Sequence, residues 1–165
     1  MRIFFALMVF STIVGSAKPS ALDIPLLTKE SKTIIFGKIL KIRCHGDEKG
    51  RLVTSADISI NEIWKGHQKK KIITVLQPGG ILGGIVQKNK NQRPFKVGRE
   101  IVLFLTQNKK GDWVIVSLWQ GHFDISLQDQ KHDKIVSNNG FAGLNEKGMT
   151  LKLSDLKGLV EKELQ

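Results

Sequence analysis

Four histidines, one cysteine and a modest set of carboxylates are the residues of this chain that could do chemistry. His45, His67, His122 and His132 fall into no H-x-x-x-H or H-E-x-x-H spacing, and no second cysteine joins Cys44 to complete a zinc site. Cys44-His45 is the only cysteine–histidine neighbour pair. Adjacent strand residues point to opposite faces, so these two side chains diverge. No serine sits in a G-x-S-x-G elbow. Asp57 and Glu62 should face opposite ways on one strand, and Glu100 reads as a solvated carboxylate at a strand start. These residues predict no catalytic group, no metal and no cofactor.

Two other stretches carry the candidate interaction residues. The glycines of Pro78-Gly79-Gly80-Ile81-Leu82-Gly83-Gly84 suggest a phosphate loop, but the terminal Lys-Ser/Thr is missing and no helix follows. They read instead as turn positions that need positive φ. The densest basic stretch is Lys65-Gly66-His67-Gln68-Lys69-Lys70-Lys71. It is either a solvated hairpin tip with charged gatekeepers or a docking patch for an anionic partner. Trp64 beside it, with Trp113 and Trp119, offers stacking faces or simply fills core volume. The expected interaction residues are therefore Trp64, Lys65, Lys69, Lys70, Lys71, Pro78, Gly79, Gly80, Gly83 and Gly84. The Trp64-Lys65-Gly66 strand end and the Pro78–Gly84 loop are expected to bracket one connection on a single barrel rim.

The formal net charge of +11 is mostly lysine; beyond Arg2 the arginines are only Arg43, Arg51, Arg93 and Arg99. Lysine is a hydrated point charge rather than a bidentate fork, so the excess favours solubility and loose attraction to anionic surfaces. With no tyrosine and few aromatics, the chain is poorly equipped for single-strand stacking. No specific nucleic-acid partner is expected. Met1-Arg2, the apolar run Ile3 to Val14 and Gly15-Ser16-Ala17 have the form of a signal peptide. The run is shorter than the roughly 20 residues that a span requires. The sequence thus predicts export to the periplasm or beyond, cleavage after residue 17, no transmembrane anchor afterwards, and a single domain over 18–165. A lone Cys44 means that this domain must hold by packing alone.

The elements that must position these residues are short and mostly extended. Asp23 can cap a helical turn that tolerates Pro25, within Ala21 to Ser31. Thr33 to Arg43 reads as a strand bent at Gly37, and Leu52 to Trp64 as its hairpin partner, with Thr54, Ala56, Ile58, Ile60 and Trp64 on one face. Lys69 to Gln77 gives a third strand centred on Ile72, Ile73 and Val75. Residues 85–96 read as a loop or ragged hairpin. Glu100 to Thr106 is apolar enough to be covered on both faces. Strands follow at Trp113 to Trp119, Phe123 to Leu127 and Lys134 to Ser137. Ser154 caps a last helix over about 154–164, with Leu156, Leu159, Val160 and Leu164 at helical spacing. Many short strands, glycine turns and an end helix predict an all-β, small OB-like barrel with a core over about 31–140; a β-sandwich is the alternative.

Ala56-Asp57-Ile58-Ser59-Ile60, Ile63-Trp64-Lys65-Gly66, Pro78-Gly79-Gly80 with Gly83-Gly84, Phe95 to Leu105, and Gln120-Gly121-His122-Phe123 follow one another in an order that resembles a family of exported bacterial β-barrel proteins. In that family a similar module stands alone or accompanies a matrixin-like metalloprotease domain. A more distant similarity is to the netrin-like barrel of tissue inhibitors of metalloproteinases. Their zinc-chelating N-terminal cysteine and their disulfides have no counterpart here. The expected function is a non-catalytic binding or interaction module. The alternatives are a protease-associated or inhibitor-like module, a polyanion or envelope-surface binder, and, last, an enzyme.

Overall fold

The isoleucine-rich run after Ser31 makes the strand on which the fold is assembled. In the computed structural model, residues 23–88, 93–117, 120–127, 134–138 and 149–165 are described. The expected leader 1–17, Trp119 and His132 lie outside them. Helix α1 spans Ile24–Glu30, with Pro25 in its first turn and the Asp23 carboxylate accepting the Leu26 N–H at 2.9 Å. Strand β1 (Thr33–Gly46) then runs antiparallel to β2 (Leu52–Lys65) around a turn at residues 47–51. Asp47 ties that turn: one carboxylate oxygen accepts the amides of Lys49 and Arg51, each at 2.9 Å.

Three register shifts bend this hairpin. Gly37 sits at one of them, where a Cβ would collide with the Ser59 carbonyl, so only glycine permits the close crossing. The shifts leave Asn61 and Trp64 as extra residues on β2. Trp64 is thereby turned off the face it was expected to share with Ile58 and Ile60, a result that strict period-2 reading could not anticipate.

The bend lets β1 pair with two partners. Ile34 to Gly46 follows β2, while Thr33–Lys38 also pairs with β6 (Glu100–Gln107). Strand β3 (Ile72–Pro78) lies beside β2, and β7 (Trp113–Ile115) joins β3 in parallel and β6 in antiparallel. The ring β1-β2-β3-β7-β6-β1 is therefore closed, an OB-like five-stranded barrel rather than two separate sheets. The expected strand through residue 119 stops at Ile115. Val116 and Gly121 together oppose Phe104, and Ser117 between them takes a φ of 51°. After this bulge β8 (His122–Leu127) continues along β6, followed by β9 (Lys134–Asn138) and β10 (Met149–Lys152), the last not expected from the sequence.

Alternate residues of β1 and β6 feed two cores. Ile35, Ile39, Ile101, Leu103 and Leu105 fill the barrel with Ala56, Ile58, Ile73, Val75 and Phe95. Ile34, Phe36, Val102 and Phe104 pack outward against Phe123, Ile125, Val136 and the two helices. Ile72, expected in the core, is 49 % exposed because the strand starts there with that side outward. Helix α2 spans Leu153–Lys162, so its cap position falls on Lys152 and not on Ser154. It buries Leu156 and Val160 on the outer core, whereas Leu159 and Leu164 stay largely exposed. Lys157 pairs with Glu62 at 2.8 Å and fastens α2 to β2.

Candidate interaction site

The segment from Pro78 to Gln87 is a second, separate sheet: β4 (Gly80–Leu82) and β5 (Ile85–Gln87), antiparallel, in the register Gly80↔Gln87, Ile81↔Val86, Leu82↔Ile85. Of residues 85–96, which read as a loop or ragged hairpin, 85–87 form its second strand. Gly83 and Gly84 make its two-residue turn with φ of 57° and 83°, both positive as the twist of a tight hairpin demands. The base is pinned. Gly79 donates its N–H to the Leu52 carbonyl at 2.7 Å, Thr54 Oγ1 donates to the Gly79 carbonyl at 2.7 Å, and the Leu52 amide donates to Gln87 Oε1 at 2.7 Å. Gly80, at φ 147°, lies so close that a Cβ there would stand 2.5 Å from both Cys44 Sγ and Thr54 Oγ1. Cys44 is thus a half-buried part of the hairpin's floor.

The side chains of this hairpin carry the chemical information. Ile81, Leu82, Ile85 and Val86 are 66, 43, 66 and 52 % exposed. Cross-strand partners share a face and neighbours alternate, so Ile81 with Val86 lies on one side and Leu82 with Ile85 on the other. Both faces of the projection are therefore aliphatic and wet. Such a run costs solubility unless it serves contact.

The surroundings are cationic. Lys88 follows β5, and Lys49 and Arg51 stand on the adjoining β1–β2 turn. Arg51 binds Asp47 at 2.7 Å, and with the turn amides it holds that carboxyl down at about 2. Glu48 pairs with Lys110 of the β6–β7 turn at 2.9 Å, which raises the lysine's pKa and brings the two turns together. Both acids are thereby occupied, while Lys49, Lys88 and Lys109 have no ion pair among the described residues.

The other expected interaction residues are elsewhere. Lys65 pairs with Ile34 at one end of β2, and Pro78 pairs with Val53 near the other, so the two segments do not bracket one connection. Trp64 is buried in the outer core, its indole N–H donating to Glu62 at 3.1 Å, and offers no stacking face. Lys65 donates to the Thr28 carbonyl at 2.6 Å and the Lys29 carbonyl at 3.4 Å, capping the C-terminus of α1. The shallow hollow beside it, lined by Asp23, Leu26, Lys29 and Glu163, thus has its ammonium already engaged. Lys69, Lys70 and Lys71 are exposed in the β2–β3 connection, as both readings of that stretch require.

One constellation escaped the reading of motifs. His122, 1 % exposed, stacks at 5.5 Å on Phe95, and neither ring nitrogen has a hydrogen-bond partner among the described residues. Its Nε2 lies 3.5 Å from Asp124 Oδ1, a charge-pair distance too long for a good hydrogen bond. Arg93 closes tightly on the same carboxylate, and Gln77 donates to the Arg93 carbonyl at 2.7 Å. Burial pushes the Asp124 carboxyl up, but His122 and Arg93 together outweigh it and hold it below the usual range. The set could orient an imidazole, yet Phe95 roofs it and the ring does not reach solvent. Strand alternation was the available signal: His122 and Asp124 flank Phe123 on one strand and share its opposite face. No group of three or more histidine, cysteine, aspartate or glutamate side chains placed to hold a metal occurs among the described residues. No protein-family model matches the chain, and no curated protein matches it either.

Proposed function

We propose that this chain is a non-catalytic binding module that meets its partner through the β4–β5 hairpin. The observation that carries the reading is the hairpin itself: four large aliphatic side chains held in water on a projection whose base is pinned to the barrel. A fold stabilised by packing does not need those side chains there, and free solubility opposes them. OB-like barrels present their ligands to loops and strand faces rather than to an interior, which suits a contact role. The resemblance to exported bacterial barrels and to netrin-like inhibitors fits a module that works by contact. An inhibitor-like or protease-associated role would be one form of it, and the expected export puts the partner outside the cytoplasm.

A photoreactive residue in place of Ile85, with one in place of the equally exposed Leu127 as control, tests the proposal in the source cells. A defined adduct from position 85 and none from 127 is expected. No adduct from 85, or the same adducts from both, would overturn it.

A further inference from the structure

We infer that the hairpin's partner is the headgroup region of an anionic lipid bilayer; this rests on the hairpin being the binding element. The first argument is the distribution of its aliphatic groups. A protein surface meeting the hairpin flatly covers one pair, Ile81 and Val86 or Leu82 and Ile85, and leaves the other wet. A medium that surrounds the projection covers both at once.

Charge supplies the second argument. Residues 78–88 contain no acid, Lys88 and Lys49 beside the base have no ion pair among the described residues, and the neighbouring acids Asp47 and Glu48 are neutralised by Arg51 and Lys110. Aliphatic arms with cations at their base match an anionic interface, where lysines meet headgroups as the arms meet acyl chains. The whole chain, at +11, is drawn to the same surface over longer range.

Geometry sets the depth. Arms of three residues at about 3.4 Å each give a reach of roughly 10 Å, comparable with the headgroup and upper acyl layer. The outer edges of β4 and β5 pair with no other strand among the described residues, so their backbone groups must stay hydrated. The hairpin therefore wedges into the interface and does not cross it. Gly83 and Gly84 leave its tip without side chains and ease that insertion.

Co-sedimentation with vesicles rich in phosphatidylglycerol, and with pure phosphatidylcholine vesicles, tests the inference. The chain is used at full length and from Lys18 onward, so that the apolar run Ile3–Val14 is not the source of binding. Binding to the anionic vesicles should weaken with salt and fall at least about tenfold in Ile81→Thr/Ile85→Thr, which takes one group from each face. Both sites are exposed, so melting should be unchanged. Independently, Ile85→Trp should shift its emission to the blue on anionic vesicles and be quenched by brominated acyl chains.

No binding to anionic vesicles, or equal binding by the double-threonine variant, overturns the lipid assignment. If position 85 then crosslinks to a defined protein, the binding-module reading stands and only the partner is wrong. If it crosslinks to neither lipid nor protein, both fail.

Discussion

Alanine at Gly80 should cost far more than alanine at Gly83, although both glycines belong to the same small hairpin. At Gly80 the backbone sits at φ 147°, a region where a side chain adds about 1–3 kcal/mol of strain. The new Cβ would also stand 2.5 Å from Cys44 Sγ and Thr54 Oγ1, inside any allowed contact. Thr54 must then rotate and lose its bond to the Gly79 carbonyl, worth about 1 kcal/mol. Together these come to about 2–4 kcal/mol. Gly83 has φ 57° and nothing within 4 Å of its missing Cβ, so alanine there meets only the left-handed penalty of roughly 1 kcal/mol. For a domain of this size each kcal/mol moves the melting temperature by about 2–4 °C. Gly80→Ala should therefore lower it by roughly 5–15 °C and Gly83→Ala by a few degrees. Gly83→Asn should be close to neutral, since Asn-Gly is the favoured pair in such a turn. Circular-dichroism melts of the three variants decide the matter. A Gly80→Ala loss no larger than that of Gly83→Ala would refute the pinned base.

Lys65→Met should lower stability by about 1–2 kcal/mol and speed amide exchange in α1 first, because it removes the donor to the Thr28 and Lys29 carbonyls; an unchanged α1 would show that the helix end needs no cap. Asp47, held at about 2, stabilises the β1–β2 turn fully above its unfolded value near 3.9, and that contribution is lost as pH falls toward 2. Protection of the Lys49 and Arg51 amides should follow that fall and should be missing in Asp47→Asn, as amide exchange would report. His122→Leu should change stability by no more than about 1 kcal/mol at neutral pH, since it removes buried ring nitrogens with no hydrogen-bond partner among the described residues and with them only the 3.5 Å contact to Asp124; a loss above about 1 kcal/mol in a denaturant titration would mean that the imidazole is engaged. Replacing Lys69, Lys70 and Lys71 with glutamine should leave melting unchanged and reduce only salt-sensitive retention on an anionic resin.

Patterns local to one element were legible in the sequence. The Asp23 cap, the bend at Gly37 and the doubly covered β6 all follow from residue type at a position. Features set by pairing were not. Trp64 lies off the face of Ile58 and Ile60 because Asn61 is an extra residue on β2 that only its register with β1 reveals. The strand expected through residue 119 broke at Ile115 because Phe104 is shared by Val116 and Gly121, a bulge with no signature beyond one glycine. The glycines from 79 to 84 read as turn formers, but the aliphatic pairs Ile81-Leu82 and Ile85-Val86 do not read as a presented surface, since such pairs look the same in a core and on a finger. For the candidate site, the sequence supplied the segment and missed its exposure. It also joined that segment to the Lys65 end of β2, from which the fold separates it.

The shared strand β6 has a consequence for how this molecule comes apart. Every residue from Ile101 to Leu105 is fully buried, with odd and even positions facing different cores. Its edges are also taken, by β1 on one side and by β7 and β8 on the other. Barrel and outer layer thus have one common wall and cannot be dismantled in turn. Loosening either exposes β6 to both, so the two layers should melt in a single transition, with the amides of this strand the last to exchange. The hairpin of β4 and β5 hangs outside that unit. Beyond its pinned base at Gly79 and Gly80, its exposed side chains can be changed, or spent on a partner, without unsettling the fold that carries it.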